Sequence, residues 1–267
     1  MRVTNVSTDE HRVSTERHGR TLLIRMERPT KRNAVDAAMT SALDEALNLL
    51  DDDPDLWCGV LSGGAGMFCA GTDLGAGPGR PTARGGPYGV VGRRRATPLI
   101  AAVEGIAYGG GMEIVLACDM VVAGRSARFG LPEVTHGVVA NCGALFRADR
   151  SLPLVVAKQL LLTGRPLGAE RAYALGLVGE LVDDGQAERA ALEMAGDVCA
   201  NSPAAVRATL RAVEKAAGER DQQGWTLTRE AEAAMAASPD RAEGIAAFLE
   251  KREPRWSSVE PAGRHPE

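Results

Sequence analysis

The sequence predicts an α/β core followed by a mostly helical C-terminal part. Three observations predict it. Short apolar strands alternate with amphipathic helical stretches over the first half of the chain. Two of those strands run straight into glycine-rich turns. After about residue 142 the apolar spacing becomes almost wholly helical.

Taken in order, residues 21–26 (Thr-Leu-Leu-Ile-Arg-Met) read as a strand. Residues 36–50 place Met39, Leu43, Ala46, Leu47 and Leu50 at helical spacing. The acidic run Asp51, Asp52, Asp53 before Pro54 reads as a solvated helix end. Residues 56–62 and 99–103 are the next strands, and an apolar helix starts near residue 113. Helices are expected over 154–163, 169–175, 186–200, 203–217, 224–237 and 241–252, interrupted by a strand over 177–182. Ile245, Phe248 and Leu249 share one face of the last helix, more apolar than a thin outer layer needs, which predicts packing between subunits.

The chain's 267 residues suit one large domain or a domain with an appendage. A net charge of −4 gives no electrostatic reason to expect nucleic acid as a partner. No apolar run approaches the roughly 20 residues that span a bilayer, so no membrane partner is expected. The first ten residues lack the apolar core of a signal peptide, and Asp9, Glu10 and Glu16 argue against a transit peptide. The expected location is cytoplasmic. The five cysteines, at 58, 69, 118, 142 and 199, are odd in number and form no CxxC, which argues against a disulfide framework and against zinc. They read as small buried thiols, Cys69 included.

Several enzyme classes lack their motifs. There is no GxxxxGK[ST] and no GxSxG. Residues 63–69 fail the GxGxxG pattern because position 69 is Cys. His136 is the one histidine far from the ends, too few for a histidine-built metal site. It is expected as an exposed turn residue, with a supporting place beside Glu133 as the other reading.

The chemistry concentrates in three segments. In 105–113 (Gly-Ile-Ala-Tyr-Gly-Gly-Gly-Met-Glu) a strand gives way to glycines and a helix start. Free N–H groups there face any ligand, with Glu113 alongside: the layout of an oxyanion hole beside an acid or base. In 60–74 a second strand enters a second glycine turn. In 127–134 a short strand and Pro132 precede Glu133. Residues 75–95 are rich in Gly, Pro and Arg and contain no acid to pair with the arginines. They read as a mobile loop over an anion-binding site, or as a surface insert.

Together with 27–35 (Glu-Arg-Pro-Thr-Lys-Arg-Asn-Ala-Val), 160–167, 174–178 and 247–256, these segments make the chain resemble the crotonase family of enoyl-CoA hydratases and isomerases. The likeness runs over roughly residues 15–256. It implies a spiral of ββα turns and a C-terminal helical region that builds a trimer, often stacked into a hexamer. The matching boundaries are a tail over 1–15, a spiral core over 16–200, the helical region over 201–256 and a tail over 257–267.

The resemblance also implies an acyl-CoA thioester as substrate, with coenzyme A part of it and no separate cofactor or metal. Backbone N–H groups of Thr72 and Gly110 would hold the thioester oxygen. Glu113 and Glu133 would hold the attacking water, Glu113 as base and Glu133 as proton donor to carbon. Asn141 stands where the family usually has a glycine-rich turn, and its N–H would help position that water. Coenzyme A would lie along Cys69, Ala70, Gly71, Asp73 and Leu74, with its phosphates near Arg28 and Arg32. Phe248 and Lys251 would reach a neighbour's coenzyme A. Two glutamates favour syn hydration of a 2-enoyl-CoA to a 3-hydroxyacyl-CoA. An isomerase, another acyl-CoA lyase of the family, or a lapsed acyl-CoA-binding scaffold are the alternatives.

Overall fold

The structure, a computed structural model, describes residues 12–257. Six strands form the main sheet: β1 (Val13–His18), β2 (Thr21–Met26), β3 (Cys58–Ser62), β4 (Leu99–Val103), β6 (Met120–Gly124) and β9 (Glu180–Val182), side by side in that order. Only the β1–β2 pair is antiparallel; the others are parallel. A second sheet holds β5 (Ile106–Tyr108), β7 (Arg128–Gly130) and β8 (Leu167–Gly168).

A central parallel sheet is buried on both faces, which explains the unbroken apolar runs of its strands. Alternate side chains serve opposite faces. Leu22, Ile24, Leu61, Leu99 and Ala101 join Met39, Leu43 and Leu47 of α1 (Ala37–Asp52) in the larger core. Leu23, Val60, Ile100 and Val122 meet Ala187, Ala190, Ala191 and Ala195 of α6 (Ala187–Cys199) on the other side. α1 starts at residue 37 because the Asp36 carboxylate accepts the Met39 N–H at 2.8 Å.

The helices α2 (Gly110–Leu116), α3 (Ala144–Ser151), α4 (Leu154–Thr163), α5 (Ala169–Ala174), α7 (Pro203–Ala236) and α8 (Pro239–Glu250) complete the described chain. Among the described residues no helix is long and apolar enough to cross a membrane.

Several expectations are corrected. The helices expected over 203–217 and 224–237 are one 34-residue helix, α7. Gly224 lies inside it because a side chain there would strike the Phe146 ring, 2.3 Å from Cγ. The last strand begins at Glu180, since Leu177 and Val178 turn their N–H groups to the Ala172 carbonyl. β1 starts at Val13, within the stretch read as a tail. The acidic run does end α1, but it is solvated only in part, at the exposed Asp52. Asp51 is nearly buried against Arg93, Asp52 pairs with Arg84, and Asp53 pairs with Arg17.

Three arginines of 75–95, Arg84, Arg93 and Arg95, likewise have partners. Arg93 donates to Asp44, Asn48 and Asp51 of α1, and Arg95 donates to Asp119 at 3.0 Å. The segment is clamped to α1, and Gly89 (φ +73) seats directly on the Thr40 carbonyl and the Asp44 N–H.

Candidate active site

The glycine turns meet at one cavity of about 640 Å³. Residues 69–72 run beside β5: the Cys69 N–H donates to the Ile106 carbonyl at 2.9 Å, and the Tyr108 N–H donates to Cys69 at 3.0 Å. On the other edge the Val35 N–H donates to the Gly71 carbonyl and the Asp73 N–H donates to Val35. Peptide groups alternate along an extended strand, so the Thr72 N–H points away from Val35. It finds no partner among the described residues. Gly110 opens α2, where the first N–H groups lack helical partners. Its N–H is likewise unpartnered among the described residues. Gly71 (φ +99) allows the approach of the two turns. A Cβ there would lie 2.8 Å from the Tyr108 carbonyl oxygen and 3.2 Å from the Gly110 nitrogen. Thr72 and Gly110 both line the cavity.

Glu113, in the first turn of α2, is 1% exposed and borders the same cavity. Its Oε1 accepts the Cys142 N–H at 2.7 Å and the Ala144 N–H at 3.1 Å. Burial pushes its pKa well above the usual carboxylate range, and the charge of Glu133 pushes it further. Glu133 opens a short 3₁₀ turn, Glu133–His136, held by Pro132. Its Oε2 is buried with no hydrogen-bond partner among the described residues. Burial raises its pKa too. Two carboxyls in one low-dielectric site titrate as a pair, and one proton between them leaves one base and one acid.

This raised pair predicts a pH effect on stability. Glu113 favours the fold while protonated, so that contribution is full below the ordinary carboxylate range and is lost as pH rises through the elevated pKa. Glu113→Gln cannot ionise. Its urea midpoint should gain on the parent's as pH rises from about 4 to 9, by about 1.4 kcal/mol for each unit of upward shift. Parallel stability curves for the two proteins would remove the argument.

The structure sorts the other expected residues. Arg32, Ala70, Gly71 and Leu74 line the cavity. Arg28 does not. Its guanidinium is tied to Asp73 at 2.8 Å and Asp36 at 3.3 Å, a strut inside the turn. Asp73 is spent on the same pair and on the N–H groups of Gly75 and Ala76. The Cys69 thiol is buried behind the wall, donates to the Asn33 carbonyl at 3.0 Å, and is pushed up to about 12 by burial. Asn141 lines the cavity, and its amide donates to Glu232 of α7 at 2.9 Å. The Asn141 N–H has no partner among the described residues.

Phe248 and Ile245 line this chain's own cavity. Lys251 caps α8 in a left-handed conformation, exposed and off the wall. His136 is no exposed turn residue. It is half-buried on the wall, its ring 4.8 Å from Phe248, and burial lowers its pKa. Sequence reasoning missed Tyr88 and Glu232 altogether. A larger cavity, about 820 Å³, lies under α7, and its cations Arg93, Arg95, Arg147 and Arg150 already pair with acids.

The family profile described as enoyl-CoA hydratase/isomerase matches residues 16–259. The chain is 40% identical over 253 residues to the enoyl-CoA hydratase EchA19 of Mycobacterium tuberculosis, covering 91% of this chain and 95% of that one. It is 36% identical to the 2,3-dehydroadipyl-CoA hydratase of Escherichia coli, covering 89% and 95%. The crystal structure of a carnitinyl-CoA hydratase from Mycobacterium avium superimposes with a TM-score of 0.87 at 39% identity, covering 92% and 98%. With these matches and a crotonase fold in hand, the chain belongs to the enoyl-CoA hydratase/isomerase family.

Proposed function

We propose that this protein adds water across the 2,3 double bond of an enoyl-CoA thioester, giving a 3-hydroxyacyl-CoA. The observation that carries the proposal is the pairing of two buried, raised-pKa glutamates with two unpartnered N–H groups on one cavity. The thioester oxygen accepts from Thr72 and Gly110. As charge builds on it, fixed donors stabilise the enolate by about 3–4 kcal/mol each. Of the pair's two one-proton forms the reactive one has the proton on Glu133; the two N–H donors to Glu113 favour that form, against the burial that raises Glu113 more than Glu133. Glu113 takes a proton from water, whose oxygen bonds to C3. Glu133, lacking such donors at Oε2, holds a proton and gives it to C2. One proton is gained and one lost, so redistribution between the glutamates resets the site. The Asn141 N–H helps hold the water. Coenzyme A runs past Ala70 and Leu74, with Arg32 at its phosphates.

Loss of enone absorbance from crotonyl-CoA tests the reading directly. Turnover with a product identical to 3-hydroxybutyryl-CoA is expected. A protein that binds the thioester and never hydrates it would refute the proposal. One that only moves a double bond from C3 to C2 would belong with the isomerases of the family.

The second part of the proposal is assembly as a trimer or a dimer of trimers. Leu154, Val155, Leu162, Val213 and Leu249 each leave more than half their surface exposed in one chain. Sedimentation at micromolar concentration should give three or six copies; a monomer would contradict it.

A further inference from the structure

The segment joining β3 and β4 delivers to the cavity one side chain that the mechanism above leaves unused. Tyr88 lines the site and is 4% exposed. Its backbone stands at φ 58°, ψ 6°, a left-handed conformation that costs a non-glycine residue roughly 1–2 kcal/mol. The surrounding clamp keeps it there: Arg93 and Gly89 fix the segment on α1 from the outer side. Strain of this kind gathers at working sites.

The strained residue presents its hydroxyl. The phenol oxygen lies 2.8 Å from Thr72 Oγ1. It also lies 2.5 Å from where a Cβ of Gly110 would stand, so only glycine at 110 admits it. The hydroxyl thus sits between the two residues whose N–H groups are unpartnered. When Thr72 donates to the phenol oxygen, the phenolic O–H is left to point into the cavity. Burial raises the phenol's pKa, so the group stays protonated through the neutral range and keeps its O–H to donate.

We propose that Tyr88 is a third hydrogen-bond donor to the thioester oxygen, acting with the Thr72 and Gly110 N–H groups on the developing enolate. The proposal rests on the hydratase reading for the identity of the ligand. It assigns a catalytic role to a segment that stands out in the sequence for its glycine, proline and arginine content.

Tyr88→Phe keeps the ring and removes the donor. With crotonyl-CoA its kcat should fall by about 10²-fold, the lower range for one such donor. KM should stay within about twofold, because the bond strengthens only as charge develops. The second readout needs no turnover. Acetoacetyl-CoA ionises to an enolate that absorbs in the near ultraviolet, and donors at the oxygen lower the pH at which the bound form appears. In Tyr88→Phe that midpoint should rise by about one to two pH units, the worth of a hydrogen bond to a charged group.

Thr72→Val, which keeps its N–H and frees the phenol from its anchor, should move the midpoint the same way by less. A parent-like enolate midpoint in Tyr88→Phe overturns the proposal, whether or not kcat falls, since packing alone would then explain any loss. A parent that binds acetoacetyl-CoA but never hydrates crotonyl-CoA refutes the hydratase reading, while the midpoint still decides Tyr88.

Discussion

Replacing Glu113 or Glu133 by Gln should cut enoyl-CoA hydration by about 10²–10⁴-fold while leaving acyl-CoA binding in place. Gln fills the same volume and still accepts the Cys142 and Ala144 N–H groups at position 113. Folding should therefore survive. What disappears is the means to move a proton. The two variants should differ in one respect. Glu113→Gln keeps Glu133, the group that serves C2, and the oxyanion donors, so it should still exchange the α-proton of a saturated acyl-CoA with solvent deuterium, more slowly than the parent, whereas Glu133→Gln should not. Two capped turns with no chemical duty would instead show a change in thermal midpoint and unchanged kcat. Near-parental hydration in both variants would end the mechanism proposed above.

The second large effect concerns stability. The Arg93 side chain is 1% exposed and meets Asp44 and Asp51, themselves 15% and 10% exposed. Removing one partner of a buried pair strands the other charge, at about 3–5 kcal/mol. Arg93→Met should cost that much in urea unfolding. It should also release the segment that holds Tyr88 in its strained conformation, so hydration should fall even where the variant is fully folded. Asp51→Asn in the Arg93→Met background should return part of the stability, because it removes one stranded charge. A loss under about 1 kcal/mol for Arg93→Met would show the network to be solvated.

How much of this was legible in the sequence depends on how far apart the partners lie. β2 and β4 begin and end where their apolar runs do, because strands buried on both faces have no other composition. That Glu113 and Glu133 face one cavity was implied only by the family resemblance of their motifs; the glycine turn and the proline place each near a strand end but do not bring the two together. Tyr88 could not be read this way. Arg93 looked unpaired because its carboxylates lie 42 and 49 residues away, on α1. Without that pairing the segment reads as loose chain, and a tyrosine in it carries no signal. α7 was divided at its glycines because only Phe146, on another helix, reveals why Gly224 sits within a helix. β1 gave no apolar pattern, being an edge strand with four of its six residues exposed. Arg28 and Asp73 were read singly as ligand contacts, whereas their proximity makes them each other's partner.

The thiols described as buried have a use for anyone handling this protein. Cys58, Cys69, Cys118 and Cys142 are all pushed toward higher pKa by burial, so in the folded chain little thiolate is available to an alkylating reagent. Each becomes reactive only when its own surroundings part. Cys69 lies behind the turn that carries Thr72, and Cys142 lies in the turn that grips Glu113. The rate at which each is modified, resolved by mass spectrometry, is therefore a clock on the opening of one half of the site. A ligand that seals the cavity should slow both clocks while leaving Cys58, on the far face of the sheet, running at its former pace.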